Sequence, residues 1–334
     1  MAITRYLSFV EEATHGTPVT TGGETIDPLS AEIEPSGDST LIYEGASRLD
    51  KLVAPGPYIN EGEISTAFDD KAFPWFIKWA LGGYEVTGSG PYTHRFYPSP
   101  RALMQPFTVR VGKDIFEHIY SGCVVSTLGI EYDREFVNGN VEIIGGRDSQ
   151  QAVVEGPEFT QGNVYAGCNV TVEIDATDQS TYVETFSLNI ETGADSESGI
   201  TVGSRYPRRS FQGSVMVELE MTMSFFDTSQ LELFWGDPAG PLGCNVGDFP
   251  MTIHVGDNVD IVLPRLTYTN VSIPLPGRDR IEQTVTARGL VAADDSGPVE
   301  FIITNDVESY TVTPPEDNPP EDNPPEDSPQ EDSQ

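Results

Sequence analysis

One stretch of this chain recurs at a fixed distance, and any fold proposed for it must accommodate the recurrence. Residues Ser30–Arg48 match Ser187–Arg205 at a constant offset of 157, with identity at seven of 19 positions. These are Ser30/Ser187, Ile33/Ile190, Glu34/Glu191, Asp38/Asp195, Ser39/Ser196, Ser47/Ser204 and Arg48/Arg205. Chance would supply about one. The match continues across small gaps. Gly62-Glu-Ile-Ser-Thr-Ala-Phe68 parallels Gly213-Ser-Val-Met-Val-Glu-Leu219, and Phe107-Thr-Val-Arg-Val-Gly112 parallels Met251-Thr-Ile-His-Val-Gly256. The last pair alternates at period two and halts at glycine, as a strand entering a hairpin does.

Between these runs each half predicts one short helix. Phe73, Phe76, Ile77 and Ala80 form a single apolar stripe; Asp70 is the expected N-cap, Pro74 fits the opening turn and Gly82-Gly83 stops the helix. In the second half Asp227 is expected to cap Thr228–Trp235, with Leu231 and Phe234 inward and Gly236 at the end. Further alternating runs follow at Val124–Tyr132, Val137–Ile143, Leu266–Ile273 and Ile281–Leu290. The expected fold is mainly β: two tandem β-sandwich domains, each with about six or seven strands and a short helix on the outside. Their expected limits are residues 1–156 and 157–312, divided at Gly156-Pro157. Two long loops fall at matched places, Tyr43–Asn60 and Gly193–Gln212, and such loops carry function more often than accident.

Residues 313–334 form the remaining segment. From Pro314 it repeats Pro-Pro-Glu-Asp-Asn with small variations and offers nothing apolar beyond proline. A disordered, extended arm of up to ~65 Å is expected, either as a spacer or as a repeat expansion without a role. The tail holds eight of the 53 acidic residues, leaving 45 against 18 bases in the body, and only four of the bases are lysine. Acidity therefore belongs to the folded part. A surface of this kind repels itself until salt screens it, which points to a halophilic source, with an acidic mesophilic protein as the alternative, and in either case disfavours specific binding to nucleic-acid phosphates.

No catalytic, cofactor or metal site is expected. His15, His94, His118 and His254 are isolated, and no cysteine or histidine stands at metal-ligand spacing. Cys123, Cys168 and Cys244 are odd in number and scattered, so they are expected as small buried apolar residues in a reducing compartment. Asp257-Asn258-Val259-Asp260 lacks the pattern of a calcium loop. The opening residues carry no signal peptide and no apolar run approaches roughly 18 residues, so the protein is expected to be made and used in cytoplasm, or to leave by lysis, without spanning a membrane. The one basic cluster is Arg205-Tyr-Pro-Arg208-Arg209. In so acidic a chain these arginines, with Arg48 at the matched place, are candidates for contacts between subunits; neutralisation within one domain is the alternative.

The opening Arg5-Tyr-Leu-Ser-Phe-Val-Glu-Glu-Ala-Thr-His-Gly-Thr-Pro18 resembles the start of tail tube proteins of tailed viruses. Ile42-Tyr-Glu-Gly45, Gly62-Glu-Ile, Phe76-Ile-Lys-Trp-Ala-Leu-Gly-Gly83 and Gly112–Cys123 are similar, in that order, to tube proteins of long-tailed, siphovirus-like viruses of halophilic archaea. The resemblance covers most of residues 1–150 and reaches the second half through the repeat. It implies two tail-tube-like domains in a non-enzymatic virion protein that joins its own copies into rings and stacks them into a tube. Three chains would give a ring of pseudo-sixfold symmetry. The implied partners are the tape measure, tail terminator and distal tail proteins, with DNA passing through the lumen without specific binding. Rival readings are a distal tail or capsid-decorating protein, or a halophile cell-surface adhesin, which would need a secretion signal.

The charge yields the first prediction. Dialysis from molar to ~0.1 M salt should lower the melting temperature, because the Debye length grows from ~3 Å to ~10 Å. An unchanged melting temperature would remove the salt-loving reading.

Overall fold

A backbone with few helical stretches must satisfy its N–H and C=O groups sideways, strand against strand. The computed structural model describes residues 5–36, 40–43, 52–99, 104–241, 246–292 and 297–311. The C-terminal repeat and Cys244 lie outside them. The first half contains β1 (Arg5–Glu11), β2 (Glu24–Ile26), β3 (Ser30–Ser36), β4 (Thr40–Tyr43), β5 (Leu52–Pro55) and β6 (Ile59–Ala67). Helix α1 (Phe73–Leu81), β7 (Gly82–Gly88), β8 (Tyr92–Pro98), β9 (Phe107–Lys113), β10 (Glu117–Tyr132), β11 (Val137–Gly145) and β12 (Arg147–Gln151) complete it. The second half contains β13 (Val170–Ile174), β14 (Thr177–Asp178), β15 (Val183–Glu191), β16 (Met216–Ser224) and α2 (Ser229–Trp235). It ends with β17 (Phe249–Val255), β18 (Val259–Ser272), β19 (Glu282–Gly289) and β20 (Glu300–Asn305). The fold is mainly β, with antiparallel ladders throughout.

The pairing order of the first half returns in the second. β2 pairs with β1, β1 with β9 and β9 with the start of β10, which also carries β12. The later part of β10 enters another ladder, β10–β11–β6–β3. Correspondingly, β14 pairs with β13, β13 with β17 and β17 with the start of β18, which also carries β20. The later part of β18 then enters β18–β19–β16–β15. Both β10 and β18 change layers through irregularities in register, as corner strands of a sandwich do. At the β10 corner Gly122 adopts φ +69°, and a Cβ there would stand 2.9 Å from the His15 ring.

Two ladders join the halves. Residues 127–132 of β10 pair with Phe186–Glu191 of β15, and β8 pairs with β20. One continuous sheet of eight strands results, in the order β3-β6-β11-β10-β15-β16-β19-β18. The eighteen strands so connected curl around a single apolar core.

Several local expectations need correction. Ile33 lies opposite Gly62 but Ile190 lies opposite Val217, so the match of Gly62 with Gly213 is four residues out. Four is even, so the alternation of inward and outward side chains survives the error. Asp70 does not cap α1, whose N-cap is Ala72 with no capping side chain; Asp69 closes the turn before the helix, its Oδ1 accepting the N–H groups of Lys71 and Ala72 at 2.8 and 2.6 Å. Helix α2 begins at Ser229, whose N–H is bonded to Asp227 Oδ1, and its buried residue is Gln230, while Leu231 and Phe234 are half-buried. Cys168 is exposed and only Cys123 of the described cysteines is buried. The loop expected over Tyr43–Asn60 contains the β4–β5 ribbon, which pairs with itself alone among the described residues.

Helix α1 is not an outside helix. Seven of its nine residues are buried, and Trp79 stacks on Phe107 at 4.2 Å between centroids. Gly139 of β11 admits Phe73 so closely that a Cβ would lie 2.0 Å from its ring. The cover that the sequence pattern did not suggest is the β7–β8 hairpin together with the segment after β20. Tyr310 is wholly buried there, edge-on to Trp75 and His94, and its hydroxyl donates to the Asp70 carbonyl at 3.2 Å. Burial holds its hydroxyl pKa well above the ordinary tyrosine value. The opening Glu-Glu pair divides its work. Glu11 meets Lys78 at 2.6 Å and the Trp79 N–H at 3.2 Å, while buried Glu12 accepts the N–H groups of Gly16 and Gly122 and the Thr108 hydroxyl. Tyr310→Ala should destabilise the fold by about 3–5 kcal/mol, as loss of a large buried aromatic does. Chemical denaturation measures it; a loss below ~1 kcal/mol would show that the C-terminal segment closes nothing.

Candidate functional site

The eight-strand sheet has two unlike faces. On one, Ala31, Ile64, Val141, Leu128, Ile190 and Val217 stand in one cross-strand row that runs through both halves into the core. On the other, Glu32, Glu63, Glu142, Thr127, Glu191 and Met216 form the neighbouring row. Glu34 faces Glu61 on one side of it, and Glu131, Ser187 and Glu220 align on the other. Glu218 lies opposite Arg288. Across these rows nine glutamates stand against one arginine. Like charges directly opposite one another destabilise a sheet, so this face is held together by the core behind it. Local relief comes from hydroxyls: Thr127 Oγ1 donates to Glu142 at 2.8 Å, and Ser187 Oγ to Glu131 at 3.2 Å.

The ends of this sheet are the second feature. β3 pairs with β6 on one side, and among the described residues it has no ladder on the other. Residues 267–272 of β18 pair with β19 and likewise have no ladder on their other side. These two strands are the counterparts of β15 and β10, which do pair, inside the chain. The register there sets Leu128 opposite Ile190, Ile130 opposite Leu188 and Tyr132 opposite Phe186, whose rings are 6.0 Å apart. Aligning the bulge after Val125 with the bulge after Tyr268 makes Leu275 the counterpart of Tyr132. The 157 offset makes Leu29 the counterpart of Phe186. Leu29 and Leu275 are 68 % and 81 % exposed. At the covalent junction Glu184 also receives Arg134 of the first half at 2.7 Å; hydrogen bonds from Arg280 and Ser224 hold its carboxyl below the usual range.

Residues 3–289 match the family described as phage tail tube protein. The chain belongs to the phage tail tube protein family. Comparison with curated proteins returns no match. Family membership makes the chain a structural component of a virion tail. Among the described residues no helix is long and apolar enough to cross a membrane, and no group of three or more potential ligands could hold a metal ion.

The arginine candidates separate. Arg48 lies outside the described residues. Arg205 lies against the first half of its own chain: its guanidinium sits 5.0 Å over the Tyr58 ring, its Nε donates to the Gly56 carbonyl, and its own carbonyl accepts the Tyr58 N–H. Arg209 lies 4.5 Å over Phe211, and the Arg208 N–H donates to the Gly199 carbonyl; both residues are exposed. Aromatic faces are thus among the partners of this cluster, where carboxylates were expected. The histidines are embedded locally. Buried His94 bridges Tyr84 and Asn305 with its pKa lowered by burial, His118 meets Asp148, and His254 meets Asp260. Asn258 is taken by Asp70 and Tyr165. Sequence reasoning missed Leu29 and Leu275; the 157 offset contains the signal for Leu29, whereas Leu275 emerges only from the bulge alignment.

The glutamate face gives a direct test. Glu63 lies between Glu32 and Glu142, so Glu63→Gln should raise stability by roughly 0.2–1 kcal/mol in dilute buffer. The gain should vanish in ~1 M salt, where exposed charges are screened within ~3 Å. Equal stability of the two proteins in dilute buffer would mean that the row carries no repulsion.

Proposed function

We propose that this chain is the major tail tube subunit of a long-tailed virus of a salt-loving archaeal host, polymerising as stacked rings around a DNA-conducting lumen. The observation that carries this reading is the β10–β15 ladder. It joins two successive halves edge to edge, and among the described residues its counterparts, the later part of β18 and the outer edge of β3, are left open at the two ends of the same sheet. Pairing β18 of one chain with β3 of the next repeats the internal junction between chains. Asn270 would face Glu34, polar opposite charged, and Val271 would face Ile33, Ile273 Ala31 and Leu275 Leu29, apolar opposite apolar. An edge strand is a liability unless it is covered, and head-to-tail pairing that closes covers every one.

Each chain supplies two tube domains, residues 1–156 and 157–312, so three chains give six quasi-equivalent positions. The glutamate face lines the lumen, where it repels phosphate and lets DNA slide without adhering. Ring-to-ring contact falls to the β4–β5 ribbon, on which Leu41, Ile42 and Val53 are exposed, and to the exposed Arg208 and Arg209 of the 193–212 loop at the same end. The net charge of the body supports the host assignment. The tape measure, tail terminator and distal tail proteins are the partners expected at the ends of such a tube.

Cysteines at positions 29 and 275, introduced by Leu29→Cys and Leu275→Cys with Cys168 and Cys244 replaced by serine, test the closure. Oxidised tubes should yield a ladder of covalent species that stops at three chains. No crosslinked species from assembled tubes would defeat the strand pairing, and a ladder continuing to six would defeat the three-chain ring.

A further inference from the structure

Past the last pair of the β10–β15 ladder, side chains continue the joint between the halves. That last pair is Tyr132 with Phe186. Two places further along each segment, Arg134 Nη2 donates to Glu184 Oε2 at 2.7 Å, so the turn of one half reaches an acid at the strand entrance of the next. Glu184 takes a second arginine from its own half, Arg280 of the β18–β19 turn, at 2.8 Å. Counted back from β19, Arg280 is the counterpart of Arg134. The Phe68 N–H donates to the Val137 carbonyl, Met223 lies opposite Gln283, and each arginine stands three residues before the second member of its pair. Arg280 leans back past the end of β16, donating to Ser224 Oγ at 3.3 Å as well as to Glu184. The tip of the same turn carries another arginine, Arg278.

At the outer ends the corresponding charges stand apart. The 157 offset makes Asp27 the counterpart of Glu184. Asp27 is exposed and has no hydrogen-bond or ion-pair partner among the described residues, and the same holds for Arg278. Arg5, Arg95, Arg134, Arg265 and Arg280 each meet a carboxylate on the surface of their own chain, so a bare arginine in so acidic a protein is a departure from its neighbours. In the pairing of β18 with β3, Leu275 faces Leu29. Two places further on, Gly277 comes opposite Asp27, as Arg134 comes opposite Glu184 inside the chain, and Arg278 follows at once. Pro28 and Pro276 have no N–H to offer, so backbone pairing ends beside the two leucines and only side chains can carry the joint further.

We propose that Arg278 of one chain pairs with Asp27 of the next, as the outer copy of the Arg134–Glu184 bridge. The inference rests on the ring reading and adds to it a charge contact beyond the reach of the ladder. The occupant is a second copy because the inner bridge shows what this acidic position accepts, an arginine from the turn of the neighbouring half. The pair also gives the joint a direction. Two like ends brought together would set arginine against arginine or carboxylate against carboxylate, which opposes any contact except head to tail.

The test uses the full chain, at the lowest salt in which parent tubes grow and again in ~1 M salt. Asp27→Arg and Arg278→Glu should each raise the concentration needed for tube growth about fivefold in the lower salt, and by less in the higher. The exchanged pair, Asp27→Arg with Arg278→Asp, should return growth to the parent concentration, as expected for residues that meet each other. Both sites are exposed, so the subunits of all three variants should melt as the parent does. In tubes of an Asp27→Cys, Arg278→Cys variant lacking Cys168 and Cys244, a bifunctional thiol reagent long enough to replace the two side chains should join neighbouring chains. Growth of both single variants at the parent concentration overturns the pair, and so does an exchanged variant no better than the worse single one. Bonding between positions 29 and 275 without crosslinking between 27 and 278 overturns it while leaving ring closure intact. Absence of 29–275 bonding overturns the ring and the pair together.

Discussion

Everything distinctive about this molecule follows from one ladder, the pairing of β10 with β15. Backbone N–H and C=O groups along a strand edge must find partners, and a chain with two similar halves can satisfy one such edge internally. Doing so merges two four-strand sheets into one of eight, with a common apolar row behind it. Among the described residues the same act leaves the outer edge of β3 and the later part of β18 without a neighbouring strand. On the proposed ring reading, the internal ladder is a copy of the contact those edges would make.

The price of the arrangement is visible on the exposed face. Glu32, Glu63 and Glu142 stand directly across from one another, which no requirement of folding explains. The apolar row on the reverse side supplies the compensating burial, with Ile64, Val141, Leu128 and Ile190 all fully inaccessible. Nine glutamates against one arginine on this face supply part of the negative charge of the body, while the core behind it is ordinary in composition.

Much of this was legible in the sequence because period-two alternation and the recurrence of Ser30–Arg48 are local signals. Alternation placed β9, β10, β11 and their counterparts, and the apolar stripe placed α1. The absence of a capping side chain on α1 is not legible, because only the backbone geometry gives Asp69 the N–H groups of the turn before the helix and Asp70 the side chains of Asn163 and Asn258. The β7–β8 hairpin escaped notice because Tyr92–Pro98 earns its place by pairing with β20, more than 200 residues away in the chain. Arg205 was read through its charge, whereas its observed seat on Tyr58 depends on a face that only folding assembles. The open edges of β3 and β18 were invisible for a simpler reason: sequence shows which residues form strands, not which strands lack neighbours.

The β8–β20 ladder has a mechanical consequence. It reinforces the joint between the halves on the side away from the glutamate face, and the second half has no strand among its described residues between α2 and β17 to repeat it. In a ring of the kind proposed, the joints within chains would therefore be double-stitched and the joints between chains single-stitched, alternating stiff and compliant around the circumference. Hoop tension would part the joints between chains before the covalent ones.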